Sequence, residues 1–207
     1  MKDYKELSRK EFNRQASFYD ESNAATISKY PKECYPFILN MIKDRKYTSV
    51  LDMGCGTGAM LEKISKENPE ASLYGLDLSE NMITEARKKN IPNAKYIVGD
   101  AEDLPYKSEM FDVVICNQSF HHYPNPEKAF KGVHRVLKKS GIFILCDMYC
   151  NKIFRAISNN VFLKLSKTGD VKTYSSKEVV LLLTNAGFKE VDWRKATKMT
   201  FISYGIK

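Results

Sequence analysis

Apolar residues along this chain keep two alternating rhythms. Short continuous runs, such as Val50-Leu51, Phe111-Asp112-Val113-Val114-Ile115-Cys116 and Ile142-Phe143-Ile144-Leu145-Cys146, read as buried strands. Between them lie stretches in which apolar residues recur every three or four positions, as on one face of a helix. The pattern predicts strands over 48–53, 72–77, 94–98, 111–117 and 141–148, with helices over 59–67, 80–89 and 127–137 between them. A helix over 176–186 and two closing strands, about 189–195 and 199–206, complete the series. Strand and helix in regular alternation imply an α/β fold around a mainly parallel sheet with helices on both faces.

Boundary residues support these elements. Ser79 is placed to cap the helix carrying Met82, Ile83 and Ala86, and Asn90 and Pro92 end it. Ser140-Gly141 is expected to close the helix carrying Val133, Val136 and Leu137, and Gly187 the one over 176–186. Residues 1–45 read as mostly helical with a break at Tyr30-Pro31. In 150–175 the alternation fails: Ile153, Phe154, Ile157, Val161 and Leu165 recur at helical spacing among Lys152, Arg155, Lys164 and Lys167. This stretch is either an amphipathic helix lying on the fold or a lid over the substrate pocket, and its place after the fifth strand favours the lid. A basic amphipathic helix can also touch membranes, although this one is short.

Length and composition then set bounds. The 207 residues suffice for one domain with one sizeable core. No apolar run is long enough to span a bilayer, and the charged N-terminus is unlike a signal peptide. A cytoplasmic protein is expected, monomeric or homodimeric, with its five cysteines reduced. Cys34, Cys55, Cys116, Cys146 and Cys150 have no zinc-ligand spacing and read as small buried hydrophobes. The net charge of +8 comes from lysines scattered over helix faces, more a solvated surface than a tract for nucleic acid.

The chemistry concentrates in Val50-Leu51-Asp52-Met53-Gly54-Cys55-Gly56-Thr57-Gly58. Strand, glycine turn and helix bring backbone N–H groups and a helix N-terminus to a ligand. Gly54-x-Gly56-x-x-Ala59 satisfies the dinucleotide fingerprint, but Asp52 would face the charges of a pyrophosphate at close range. The same carboxylate suits a ligand bearing positive charge.

Asp-x-Gly-x-Gly-x-Gly after a strand resembles the first motif of class I S-adenosylmethionine (SAM)-dependent methyltransferases. Val98-Gly99-Asp100-Ala101-Glu102-Asp103-Leu104-Pro105 and Phe111-Asp112…His121-His122-Tyr123 resemble further motifs of that family's small-molecule branch, methyltransferase type 11. Phe12…Ala16…Tyr19-Asp20 is similar to the segment preceding the fold in its ubiquinone/menaquinone-biosynthesis members. The resemblance implies a Rossmann-like fold: a seven-stranded, mainly parallel sheet with its last strand antiparallel, and a helical insertion after strand five. It implies a single methyltransferase domain, with a helical cap over 1–45, a SAM-binding core over 48–148, a lid over 150–175 and a closing helix and strand pair over 176–207.

The cofactor site so implied has Asp52, Gly54, Cys55, Gly56 and Gly58 around the amino-acid part of SAM. Asp77 would hold the ribose, Leu78 and Met82 would flank the adenine, and Asp100, Ala101 and Glu102 would meet its edge. Asn117 and Gln118 would touch the methionine part, with Tyr19 nearby. His122 is the candidate catalytic residue, as a base or as a packing and cofactor contact; methyl transfer from a sulfonium chiefly needs the nucleophile held close and in line. No metal is implied. The products would be S-adenosylhomocysteine and a methylated small molecule. A tRNA or rRNA methyltransferase, an NAD(P)-dependent oxidoreductase and a SAM-binding protein without catalysis are the alternatives.

Overall fold

The computed structural model describes residues 2–20 and 29–207. Seven strands form one sheet in the order β3-β2-β1-β4-β5-β7-β6. They are β1 Ser49–Met53, β2 Ser72–Asp77, β3 Ala94–Val98, β4 Phe111–Asn117, β5 Leu137–Met148, β6 Lys189–Lys195 and β7 Thr200–Ile206. The first five run parallel, and β7 lies antiparallel between β5 and β6. The chain order reverses direction between β1 and β4, which opens a crevice at their C-terminal ends, where α/β sheets bind ligands.

Alternate residues of the strands feed two cores. On one face Leu51, Val114, Phe143 and Leu145 pack with Phe130 and Val133 of α5 (Pro126–Val136) and Leu183 of α8 (Ser176–Asn185). On the other, Val50, Leu73, Ile115 and Ile144 pack with residues of α2 (Lys29–Ile42), α3 (Ala59–Glu67) and α4 (Glu80–Lys88). Burial on both sides is why these strands read as continuous apolar runs.

Most expected boundaries fall within a residue of those observed. The Ser79 side chain accepts from the Met82 amide at 3.1 Å, Asn90 takes a left-handed backbone beyond α4, and Gly187 does so beyond α8 (φ 100°). Three expectations need correction. Helix α5 ends at Val136, not at Ser140-Gly141: Leu137 already pairs with Phe111, and Ser140 (φ 61°) lies where the register of β5 shifts against β4. Strand pairing captured these residues because Lys207 bonds both Ser140 and Gly141 through its backbone. At Tyr30-Pro31 there is no break, since Pro31 sits in the first turn of α2, where no intrahelical N–H is required. Residues 21–28 of the expected N-terminal helical stretch lie outside the described residues.

The third correction concerns 150–175. A helix does form, as α6 (Lys152–Ile157), a widened π turn (Ser158–Phe162) and α7 (Leu163–Leu165). It contributes no side chain to the wall of the crevice, and its apolar residues are exposed instead of packed on the fold. The loop that follows supports the wall from behind, with the amides of Val171 and Lys172 donating to the carbonyl of His121, the residue before the cleft-lining His122.

Candidate active site

A cleft of about 910 Å³, counting the open space at its mouth, lies over the C-terminal ends of β1, β2, β3 and β4. Its floor is the glycine turn. Gly54, Gly56 and Gly58 all have positive φ (77°, 52° and 77°), the backbone region that a side chain disfavours. At Gly54 a Cβ would also overlap the Ser119 side chain. The Gly54 and Cys55 amides donate to the Leu76 carbonyl at 2.7 and 3.0 Å, which ties the turn to β2.

Two carboxylates dominate this end. Asp77 accepts from the Gly56 amide through Oδ2 and the Ser79 amide through Oδ1, both at 2.9 Å. Each oxygen keeps a second lone pair for a ligand donor. Burial raises the Asp77 pKa, against the lowering effect of those amides. Asp52 is 2 % exposed, and its Oδ1 has no hydrogen-bond partner. Burial, with Asp77 nearby, pushes its pKa up to about 7. A buried carboxyl oxygen without a donor calls for a cationic or hydrogen-bonding group from outside the chain.

The roof comes from α1 (Tyr4–Gln15) and the 3-10 turn after it (Ala16–Phe18). Ala16 packs into the fold, whereas Phe12 and Tyr19 line the cleft, so the segment serves both as packing helix and as cover. The Phe12 ring meets Tyr19 edge-on at 6.4 Å and His122 at 5.1 Å. Lys5 binds Asp100 at 2.7 Å and Glu102 at 2.5 Å, clasping α1 to the loop after β3. Asp20 accepts from Thr57 at 2.7 Å and from Lys89 at 2.5 Å, clasping the other end to the glycine turn and α4.

Of the residues expected at the site, the cleft gathers Tyr19, Asp52, Gly54, Cys55, Gly56, Asp77, Leu78, Met82, Asp100, Ala101, Asn117, Gln118 and His122. Two stand apart. Gly58 starts α3, with a Cβ position that would meet Tyr96. Glu102 turns inward, where Lys5 and the Asn125 amide hold its carboxylate. At Asp100, Lys5 engages Oδ2 and the Glu102 amide Oδ1, which leaves each oxygen a second lone pair, as at Asp77. Lys5, Ser8 and Phe12 from α1, and Pro31 and Tyr35 from α2, also line the wall. Only Phe12 was signalled by a motif, because the others meet the site through tertiary packing.

Beyond β4 the wall is strained and polar. Gln118 has φ 54° and its amide donates to the Cys146 carbonyl at 2.7 Å. Asn117 donates to the Pro31 carbonyl, while its own Oδ1 is buried without a partner. His121 Nδ1 lies 2.6 Å from Asp147 Oδ1, and His121 Nε2 lies 3.6 Å from Asp170 Oδ1. Burial opposes charge on His121, but the two aspartates outweigh it and raise the pKa. The neighbouring His122 goes the other way: burial and the charge on His121 lower it to about 4. His122 therefore stays neutral near pH 7, with its Nδ1 unpartnered. His121, His122 and Asp170 offer ligand atoms within 4.8 Å of one another, a grouping that no local spacing announced.

Comparison with known proteins agrees with this geometry. Residues 51–145 match a family model described as a methyltransferase domain. The ubiquinone/menaquinone biosynthesis C-methyltransferase UbiE of Campylobacter jejuni is 28% identical, with 88% of this chain and 89% of that protein covered. The demethylmenaquinone methyltransferase of Staphylococcus carnosus is 32% identical over 69% of this chain and 61% of its own length. Among solved structures, a SAM-dependent methyltransferase of Thermotoga maritima, titled a possible histamine N-methyltransferase, superposes with a TM-score of 0.70 at 23% identity, covering 96% of this chain and 99% of that one. YcgJ of Bacillus subtilis gives a TM-score of 0.70 at 19% identity, over 85% and 98%. At these identities the solved structures speak for the fold.

Proposed function

The chain belongs to the class I SAM-dependent methyltransferases, and from that premise we propose that it methylates a small-molecule acceptor within this cleft. The observation that carries the reading is the buried Asp52 oxygen left without a donor on the floor of a roofed cleft. SAM supplies an electrophilic methyl group on a sulfonium, together with an ammonium, ribose hydroxyls and an adenine. The residues present fit those groups. Ionised Asp52 would take the ammonium, and the spare lone pairs of Asp77 would accept from the ribose hydroxyls. Leu78 and Met82 would bracket the adenine. Asp100, held in place by Lys5 and the Glu102 amide, would meet the ring edge through its remaining lone pairs.

The other residues would orient the acceptor and exclude water. Phe12, Tyr19 and His122 form an aromatic cover, which suits a flat, largely apolar acceptor better than a polynucleotide strand. His122 Nδ1 would accept a hydrogen bond from an acceptor hydroxyl or amine. A group titrating near 4 is a weak base at neutral pH, so its role is positioning more than proton removal. The names of the Campylobacter and Staphylococcus relatives favour carbon methylation of a quinone precursor within this class.

Thermal-shift measurement with SAM, S-adenosylhomocysteine, NADH and NADPH tests the cofactor assignment. Ligand at one hundred times its dissociation constant adds roughly 2.7 kcal/mol, a midpoint rise of about 5–10 °C for a chain of this size. The rise is expected for the two SAM-type ligands and lost in Asp77→Ala. A rise with NADPH alone overturns the assignment. Incubation of isotope-labelled SAM with cell extract then separates acceptor classes: label in the small-molecule fraction supports the proposal, and label confined to RNA refutes it.

A further inference from the structure

Among the described residues, the helix over 152–165 is the one stretch that exposes a group of large apolar side chains; elsewhere they are exposed singly. Ile153 is 76 % and Leu165 77 % exposed, and Phe154, Ile157, Val161 and Phe162 are exposed between them. Ser158 is the one buried residue from 151 to 165. In an unbroken α-helix a four-residue repeat drifts about 40° per step. The π turn at Ser158–Phe162 takes back part of that drift and keeps Ile153, Ile157, Val161 and Leu165 closer to one row. Few tethers hold the helix: Asn159 bonds the backbone of Thr173, and Lys2 reaches the carbonyls at the C-terminal end.

The charges within this stretch have one sign. From 149 to 169 there are four basic residues (Lys152, Arg155, Lys164 and Lys167) and no acidic one. Where β5 leads into this helix, the Tyr149 amide donates to the Met199 carbonyl at 2.7 Å, in a turn between β6 and β7 that exposes Lys198 and Met199 and whose Thr197 bonds Glu33. Lys195 lies 4.6 Å from the centre of the Tyr149 ring. All of this stands at the edge of the sheet where β5 ends, the edge that also bears the cleft. A row of large apolar side chains whose only charged neighbours along the helix are lysine and arginine is the composition that lies in the interface of an anionic bilayer, apolar face down, cations at the headgroups.

We propose that residues 152–165, with the Lys198-Met199 turn, dock this protein onto anionic lipid membranes, with the cleft on the docked edge. The surface is separate from the chemistry in the cleft, so its test needs no methyl acceptor. Co-sedimentation with vesicles of phosphatidylcholine alone, and of phosphatidylcholine with phosphatidylglycerol, is the experiment. Binding is expected to the anionic vesicles, weakened by 0.5 M salt and absent with the neutral ones. In Ile153→Ser/Leu165→Ser it should drop at least tenfold, and in Lys152→Gln/Lys164→Gln by roughly fivefold per lysine. These side chains are exposed, so an unchanged melting midpoint is the folding control. Equal binding to both vesicle types, or binding that survives the apolar pair, overturns the proposal. So does a dimer, found by light scattering, that the apolar pair converts to monomer, because a second copy would then own the patch.

Discussion

At Asp52 burial and charge pull against each other. Its folded-state pKa of about 7 lies above the ordinary 3.8, so the folded chain holds the proton more tightly than the unfolded one. Its contribution to stability is therefore full at low pH and is lost as pH rises from about 4 to about 7. The loss reaches roughly 4 kcal/mol at most. Asp52→Asn should raise the melting midpoint of the ligand-free protein at pH 8, with the gain shrinking toward pH 4. The same substitution should abolish the midpoint rise given by SAM. In the parent protein a cationic ligand binds the ionised carboxyl, so titration calorimetry should show affinity falling about tenfold from pH 8 to pH 6. His122 titrates too low to contribute in that window. His122→Ala should lower kcat/KM by less than the hundredfold or more expected on loss of a general base.

Among the elements, α1 and the turn after it cover the cleft, and side-chain bonds join them to α4 and the glycine turn. Ser79 caps α4 and also donates to Asn13 of α1 at 2.6 Å. Loss of the cap costs about 1 kcal/mol, and loss of the tie adds to it. Ser79→Ala should therefore lower the midpoint by about 3–6 °C in calorimetry. Asp20→Ala removes the clasp to Thr57 and Lys89. Exposed ion pairs of this kind are worth less than about 1 kcal/mol, so the midpoint should hardly move. SAM affinity should nonetheless fall several-fold, because the cover is less well held over the floor. The loop at Gly169 (φ 83°) is another such joint: a Cβ there would overlap the Ser8 backbone.

For the whole molecule, stability rests on the double-sided sheet. Phe143 is fully buried at the centre of β5 and packs against Phe130 at 5.2 Å and Phe188 at 5.7 Å. Phe143→Ala should cost about 3–5 kcal/mol, a midpoint fall on the order of 10 °C in thermal unfolding. Among the described residues no helix is long and apolar enough to cross a membrane. Some of the chain's cations are paired within the fold, as Lys138 is with Asp112 at 2.9 Å and Lys89 with Asp20, and such pairs leave the net charge of +8 unchanged. The four cations along 152–167 remain without acidic neighbours in their own stretch.

Strand and helix positions, the caps at Ser79, Asn90 and Gly187, and the glycine turn with its flanking aspartates were legible in the amino-acid sequence. Each depends on neighbours a few residues away: a period, a cap, a positive φ. The bulge at Ser140-Gly141 was not legible, because pairing with the far C-terminus decides it. Nor were Lys5 on Asp100 and Glu102, Asp20 on Thr57, or Asp170 beside His121, whose partners are remote in sequence. The reading of 150–175 shows the boundary. Its helical period was evident from the residues alone, but whether the apolar row faced the core, the cleft or the outside depended on the surface already filled by α1, α2 and the His121 loop. Local interactions write themselves into spacing; the direction an element faces is a property of what the rest of the chain leaves uncovered.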